Sequence, residues 1–315
     1  MIAGHPMIEL RRLHRFFGGT RAVSDISFEV RRGEVFGFIG PNGAGKTTSM
    51  RILATLELPT FGDAYVDGFS CVNDPDRVRR RLGFMPDYFG TYADMNCHEY
   101  LDFFARAYGL VGRQRHQALQ HVMSFTKLDE LAQKPIRGLS KGMKQRLCLG
   151  RAMVHDPGVL ILDEPANGLD PRARIELREM IRELAANGKT VLVSSHILTE
   201  LAEMCDRVAI IERGCLLAVG SVAEIQKDQQ PHREVNVRVL ADRGGELAQW
   251  LSQRPDVQEV KLEGNLLRFS HFGEREDEAA LLKELVLAGF PVVEFASHTR
   301  SLEDVFMSVT TGAIQ

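Results

Sequence analysis

The chain has 315 residues, enough for two domains with cores of their own, and 39 Lys and Arg against 42 Asp and Glu give a net charge of −3. This balance contains no basic excess, so the composition does not point to nucleic acid as a partner. The chain contains neither a basic start followed by an apolar core nor a run of 18 apolar residues, which predicts no signal peptide and no membrane span.

The first elements form a predicted antiparallel edge. Residues 8–13 and 22–30 alternate between apolar and polar types, as strands do, and Gly18-Gly19 between them is typical of a turn. Phe16 and Phe17 lie just before that turn. An aromatic ring here can stack on an adenine, although the spacing alone favours a role in the core or the hairpin.

A phosphate-binding loop follows. Residues 40–47 read Gly-Pro-Asn-Gly-Ala-Gly-Lys-Thr, a complete G-x-x-x-x-G-K-[ST] motif, between a predicted buried strand at 34–39 and a predicted helix at 46–56. Glycines let backbone N–H groups close around phosphates at a helix N-terminus. Lys46 is expected to reach the β- and γ-phosphates, and the Thr47 hydroxyl to bind Mg²⁺. A purely structural glycine turn explains this context poorly.

The next segment predicts alternating short elements. We expect a strand at 64–66, a helix at 74–81 and a strand at 82–85 that Pro86 ends. Asn96 precedes Glu99 by three residues, which predicts a capping box and a helix to about Tyr108. The aromatic stripe of that helix suits a core, or a face that holds a partner.

Two carboxylates form the second half of the expected site. Ser140 is a predicted N-cap of a helix that runs to about Val154, and the apolar strand 159–162 ends at Asp163 and Glu164. In α/β sheets, ligands bind at the carboxyl ends of strands. Asp163 suits a metal or its waters, and Glu164 suits the activation of water. Structural carboxylates are common at such ends, but the upstream loop favours an ATPase site.

The remaining elements of the first domain complete a sheet. A helix is predicted at 171–186, a strand at 190–194 with His196 at its end, a helix at 197–204, and closing strands at 207–212 and 215–219. A lone histidine is more often structural than catalytic. Only its position beside the expected site makes His196 a candidate site residue. The order of strands and helices predicts an α/β fold with a mainly parallel sheet and helices on both faces.

A second domain is expected at the C-terminal end. Residues 227–231 read as a polar linker between a domain at 1–226 and one at 232–315. The second domain has the order βαββαβ, which predicts a small ferredoxin-like fold. Its expected role is to stabilise the ATPase, with a regulatory or substrate-sensing role as the alternative. The predicted elements are strands at 234–240, 257–262, 266–270 and 292–295, and helices at 245–251, 276–288 and 301–306.

Taken together, five motifs over residues 8–226 resemble the ATP-binding cassette (ABC) ATPases. The matching segments, in chain order, are 40–47, 139–143, 159–164, 167–170 and the histidine at 196. The resemblance implies a phosphate-loop ATPase fold with an antiparallel edge subdomain and a helical subdomain. It also implies that Asp163 lies beside Mg²⁺, that Glu164 is the general base and that His196 contacts the γ-phosphate. The ATP-binding residues that it implies are Phe17, Gly40, Pro41, Asn42, Gly43, Ala44, Gly45, Lys46, Thr47, Thr48, Ser140 and Gly142.

The resemblance further implies a dimer. In the family, residues equivalent to Ser140 and Gly142 bind ATP that the opposite cassette holds, and this chain carries one copy of each motif. Two chains are therefore expected to meet head to tail around two ATP molecules. Their membrane partner is expected to be a separately encoded permease.

Two positions depart from the usual family pattern. Asp87 follows Pro86 where most members have Gln. Its carboxylate can ligate Mg²⁺ but adds negative charge near the γ-phosphate, so we hypothesise altered metal dependence or slower turnover. The signature reads Leu-Ser-Lys-Gly-Met at 139–143, which is similar to bacterial exporter ATPases of the drug, polysaccharide and sodium type.

The resemblance therefore implies an ATP-hydrolysing exporter subunit on the cytoplasmic face of the cell membrane. The five cysteines are odd in number and form no Cys-x-x-Cys pair, which fits free thiols in a reducing cytosol. One alternative is a soluble cassette ATPase that acts on ribosomes or DNA, but such proteins usually carry two cassettes or a long coiled-coil insertion, which this sequence does not contain. Another is a weakly hydrolysing regulatory module, which Asp87 keeps open.

Overall fold

A computed structural model describes residues 5–298 except 89, 91, 93, 198–200, 202, 229–231, 241, 242 and 274. The chain divides into two compact units, Met1–Val222 and Ala223–Gln315. Within the described residues, no helix combines the length and the apolar character that crossing a membrane requires.

The first unit contains an antiparallel sheet and a mainly parallel sheet. Its strands are β1 (Ile8–Phe17), β2 (Thr20–Val30), β3 (Val35–Ile39), β4 (Phe61–Val66), β5 (Phe69–Ser70), β6 (Leu82–Met85), β7 (Val159–Leu162), β8 (Thr190–Ser195), β9 (Arg207–Glu212) and β10 (Cys215–Ser221). The antiparallel sheet has the order β2-β1-β4-β5, and the second sheet has the order β10-β9-β3-β8-β7-β6. All neighbours in the second sheet are parallel except β9 and β10.

Six helices accompany these sheets in the described part of the first unit. They are α1 (Lys46–Leu53), α2 (Pro75–Arg81), α3 (Cys97–Ala107), α4 (Gly112–Phe125), α5 (Lys141–Met153) and α6 (Pro171–Ala186). Short 3₁₀ turns lie at Asp129–Leu131 and Ile136–Gly138. The predicted mainly parallel α/β cassette fold is thus confirmed.

One hydrophobic core joins the two sheets of this unit. Phe28 of β2 stacks on Phe36 of β3 with ring centroids 5.1 Å apart, and Phe38 packs against Phe28 at 5.5 Å. Burial of side chains this large contributes about 2 kcal/mol each to folding. The antiparallel sheet is thereby held beside β3, the strand that leads into the phosphate loop.

Three predictions of local structure need correction. Helix α1 ends at Leu53 rather than Leu56, because Thr55 adopts a left-handed conformation with φ +58° and closes the helix end. Strand β4 begins at Phe61, where pairing with β1 starts, rather than at Ala64. Helix α4 has no counterpart in the predicted elements, because its N-cap, Val111, makes no side-chain capping bond and so leaves no start signal.

The second unit carries an antiparallel sheet with a ferredoxin-like strand order. Its strands are β11 (His232–Val239), β12 (Val257–Glu263), β13 (Leu266–Phe272) and β14 (Val292–His298), in the order β12-β13-β11-β14. Helices α8 (Gly244–Ser252) and α9 (Arg275–Leu287) follow after α7 (Val222–Asp228), which reaches two residues into the predicted linker. The predicted closing helix at 301–306, and residues 198–200 and 202 of the predicted helix 197–204, lie outside the described residues.

Candidate ATP-binding site

The phosphate loop fits into the first unit only because its glycines carry no side chains. Gly43 has φ +81° and Gly45 has φ +106°, conformations that other residues adopt at a cost. A Cβ on Gly45 would overlap the carbonyl oxygen of Ala22, and one on Gly40 would overlap that of Ile211. The loop therefore lies directly against β2 and β9, between β3 and the first turn of α1.

The loop forms one wall of a cavity of about 400 Å³. The cavity brings together residues that lie far apart in the sequence, at the carboxyl ends of neighbouring parallel strands. Its lining consists of Ala22, Pro41, Asn42, Gly43, Ala44, Gly45, Lys46, Thr47, Thr48, Asp87, Glu164, Asn167 and His196. Most of the expected site residues thus share one cavity; Gly40 contributes the carbonyl described next, whereas Phe17, Ser140, Gly142 and Asp163 are absent from the lining.

Lys46 and Glu164 form an ion pair at the centre of this cavity. The Lys46 Nζ donates to the carbonyl oxygens of Gly40 at 2.5 Å and Pro41 at 3.2 Å, and it lies 3.2 Å from Oε1 of Glu164 without hydrogen-bond geometry. The other carboxylate oxygen, Oε2, lies 2.8 Å from Nδ1 of His196. The Glu164 carboxylate thus lies beside the phosphate loop, with Lys46 next to one of its oxygens and His196 next to the other.

The backbone of Glu164 is strained, with φ +47°. Its N–H donates to Oγ of Ser194 at 2.8 Å, which holds the residue in that conformation. The same Ser194 hydroxyl donates to Oδ1 of Asp163 at 2.7 Å. Ser194 was predicted only as part of strand β8, and no motif indicates its role, because the contact joins the ends of two strands 30 residues apart.

Asp163 directly follows β7 and is 1% exposed. Burial raises the pKa of its carboxyl above the ordinary value, and the hydroxyls of Ser194 and Thr47 oppose that rise. Among the residues that the structure describes, the buried Oδ2 has no hydrogen-bond partner. An unpaired carboxylate oxygen in the interior is costly unless something binds it.

These donors fit a magnesium ion. The buried Oδ2 of Asp163 and the nearby Thr47 hydroxyl are hard oxygen ligands, the type that Mg²⁺ prefers. Among the described residues, no three His, Cys, Asp or Glu side chains form a metal cluster of their own. That finding is compatible with Mg²⁺, because the ion usually keeps several waters and binds through one or two carboxylates plus substrate phosphates.

Asp87 also reaches this cavity. It follows the end of β6, and its Oδ1 accepts a hydrogen bond from Nδ2 of Asn167 at 3.5 Å. Since β6 and β7 are parallel neighbours, Asp87 and Asp163 emerge at the same edge of the sheet. The cavity is therefore lined by a second carboxylate besides that of Glu164.

Phe17 lies at the end of β1, outside the cavity lining. It pairs with Thr20 across the β1–β2 hairpin, and its side chain is 46% exposed. The guanidinium of Arg15 lies over one face of the ring, 4.3 Å from its centroid. The hairpin reaches the phosphate loop through Ala22.

The signature residues lie at the start of α5. The exposed Ser140 caps the helix, since its Oγ accepts the N–H of Met143 at 3.3 Å. Gly142 lies against the start of α6, where an added Cβ would come within 3.3 Å of the Ala173 Cβ. The structure thus places these two residues apart from the cavity that holds the phosphate loop of the same chain.

Comparisons with known proteins agree with this arrangement. Residues 23–167 match the ABC transporter family, and residues 220–310 match the C-terminal domain of DrrA1-3-like ATP-binding proteins. The chain is 32% identical to Nod factor export ATP-binding protein I of Ralstonia nicotianae, over 98% of this chain and 95% of that protein. It is 35% identical to an uncharacterized ABC transporter ATP-binding protein of Bacillus subtilis, over 96% and 99% of the two chains.

A solved structure described as the ATP-binding subunit of an ABC transporter superposes with a TM-score of 0.65. The identity is 31%, and the match covers 70% of this chain and 92% of that one. The phosphate loop, the carboxylates after β7 and the histidine after β8 thus occur in a chain that resembles these proteins along its length. The chain belongs to the ATP-binding subunits of ABC transporters, a family of ATPases.

Proposed function

We propose that this chain is the ATP-hydrolysing subunit of a membrane exporter and energises a separately encoded permease. The observation that carries the proposal is the position of Glu164 between Lys46 and His196, in the cavity formed by the phosphate loop. Export is supported by the Ralstonia relative, which is named for Nod factor export. Neither the charge balance nor the named relatives favour action on ribosomes or DNA, and we expect no nucleic acid partner.

In this proposal, Glu164 is the general base. A triphosphate in the loop offers Lys46 a more strongly charged partner than Glu164, so the ammonium would turn to the phosphates and leave Oε1 open to water. The carboxylate then accepts a proton as the water attacks the γ-phosphate. His196 donates to Oε2 through its Nδ1–H, and its Nε2 can donate to the γ-phosphate when both ring nitrogens carry a proton.

Thr47 and Asp163 are proposed to hold Mg²⁺, with Asp87 as a further ligand. A bound Mg²⁺ would neutralise developing charge on the phosphate oxygens. Ser194 keeps Asp163 and Glu164 in fixed positions relative to each other. The extra charge of Asp87 supports our hypothesis of altered metal dependence or slower turnover.

We further propose that two copies meet head to tail. Ser140 and Gly142 lie outside the cavity of their own chain, which supports a role at the ATP of a second cassette. The dimer would bind the permease at the cytoplasmic face of the cell membrane. Residues 1–226 would form the ATPase domain, 227–231 a linker, and 232–315 an accessory domain that stabilises the ATPase or its dimer.

Phosphate release from Mg–ATP tests the proposal. We expect Glu164→Gln to bind ATP with nearly unchanged affinity and to lose at least about a hundredfold in turnover, because the amide cannot accept the proton. Glu179→Gln on the exposed face of α6 is the matched control and should retain the wild-type rate. The wild-type rate per chain should rise with protein concentration as dimers form. Near-normal hydrolysis by Glu164→Gln would refute the assignment of the base.

A further inference from the structure

The ring of Phe17 has a covered face and an open face. Arg15 and Phe17 lie two positions apart on β1, so their side chains project from the same side of the strand. The guanidinium carbon of Arg15 lies 4.3 Å from the ring centroid, within the range of a cation–π contact. Because 46% of Phe17 is exposed, the ring can still accept a second flat group.

Arg15 is itself held in place. Its Nη2 lies 2.6 Å from Oε1 of Glu57, and the two side chains are only 23% and 24% exposed. Nε of Arg15 is buried and has no hydrogen-bond partner among the described residues. The Arg15 guanidinium has therefore lost part of its hydration, unlike a charged group on an open surface.

Glu57 connects this contact to the phosphate loop. It follows closely after α1, the helix that begins at Lys46. On the other side, Ala22 of β2 lies against Gly45 of the loop, and Thr20, which pairs with Phe17, is about 7 Å further along the strand. A nucleotide with its phosphates in the loop therefore has its base in reach of the open face of Phe17.

We propose that Arg15, locked by Glu57, is a positioning residue that fixes the Phe17 ring for stacking on the adenine base. The inference rests on the proposed function, since it requires a nucleotide in the loop. Arg15 contacts the rear of the ring and does not touch the base. Its role is to restrict the ring to one orientation before the nucleotide arrives, which lowers the ordering cost of binding.

A double-mutant cycle tests the role of Arg15. ADP is the probe, because it presents the same base and is not consumed, and its Kd for the full chain is measured by titration calorimetry. We expect Arg15→Gln to raise the Kd about three- to tenfold, Phe17→Ala to raise it about tenfold or more, and Arg15→Gln to add less than about twofold once Phe17 is Ala. Glu57→Gln should weaken binding in the same direction as Arg15→Gln, because it releases the guanidinium.

Arg11→Gln is the matched control. Arg11 lies on the same strand, pairs with Glu9 at 2.5 Å and covers the ring of Tyr65 at 4.4 Å, so it has the same kinds of contact without touching Phe17. The Kd of Arg11→Gln for ADP should stay within about twofold of the wild-type value. An unchanged Kd for Arg15→Gln, or an equal loss with and without Phe17, would overturn the inference. A wild-type chain that binds no ADP would contradict the proposed function itself.

Discussion

Replacement of Ser194 by alanine removes one hydroxyl that serves both acidic residues of the site. Its Oγ accepts the N–H of Glu164 at 2.8 Å and donates to Oδ1 of Asp163 at 2.7 Å, and Ser194 is completely buried. In Ser194→Ala the backbone N–H and the carboxylate oxygen both lose their partner. Water does not readily replace the lost bonds, because Asp163 is only 1% exposed and Ser194 is fully buried.

The expected loss of stability follows from these two bonds. A hydrogen bond to a charged group contributes about 1.5–3 kcal/mol, and a buried amide without a partner costs about 1–3 kcal/mol. Since the two effects share one hydroxyl, we expect Ser194→Ala to lower the free energy of unfolding by about 3 kcal/mol. Ser195→Ala is the control: within the described part of the chain the Oγ of Ser195 accepts one hydrogen bond, from the N–H of Ile197 at 2.9 Å, and its loss should cost about 1 kcal/mol.

The same variant has a consequence for pH dependence. Burial already raises the pKa of the Asp163 carboxyl, and the bond from Ser194 opposes the rise. Loss of that bond should raise the pKa of Asp163 further. If Asp163 holds Mg²⁺ as proposed, only its ionised form can do so. In a plot of ATPase rate against pH, the acid limb, where the rate falls as the pH is lowered, should therefore move to higher pH in Ser194→Ala and stay in place in Ser195→Ala.

Two assays check these expectations. Urea unfolding followed by circular dichroism, at comparable m-values, measures the loss of stability. Phosphate release between acid and neutral pH measures the shift of the limb. Equal losses of stability in Ser194→Ala and Ser195→Ala, or an acid limb that does not move, would show that Ser194 does not support the two acidic residues.

Two further predictions concern the same cavity. Gly45→Ala should cost more than about 2 kcal/mol of stability, because the Cβ overlaps the Ala22 carbonyl at φ +106°, whereas Gly43→Ala, with open space around its Cβ, should cost about 1 kcal/mol; equal urea midpoints would contradict the reasoning. Asp87→Gln should raise turnover or change the Mg²⁺ concentration for half-maximal activity by about threefold or more, because it removes a negative charge from the cavity. Asp94→Asn, the control, removes the same charge from an exposed position and should leave both quantities unchanged. An Mg²⁺ titration in which Asp87→Gln has the turnover and half-maximal concentration of the wild type would refute the hypothesis.

Local signals predicted much of the fold. The capping box at Asn96 and Glu99 is confirmed with both of its hydrogen bonds, since such a cap depends only on residues three apart. Strand β7 and helix α6 have the predicted bounds, because an apolar run and a proline at the first helical position are strong signals. The predicted end of α1 was wrong because Thr55 has a left-handed conformation that threonine rarely adopts. The residue type therefore gives no signal that the helix ends there.

The sequence by itself determined that a phosphate loop, two adjacent carboxylates and a histidine follow three separate buried strands of an α/β cassette. Their motifs depend on residue types at short spacing, and they suffice to predict an ATPase. Only the tertiary structure decided how these groups meet: Lys46 beside Glu164, Ser194 between Glu164 and Asp163, and Arg15 behind Phe17. The contacts of Lys46 and Ser194 join residues far apart in the chain, and Arg15 is held behind Phe17 by Glu57, 42 residues away. Their geometry is set by the register and packing of the sheets, which no short segment of sequence contains.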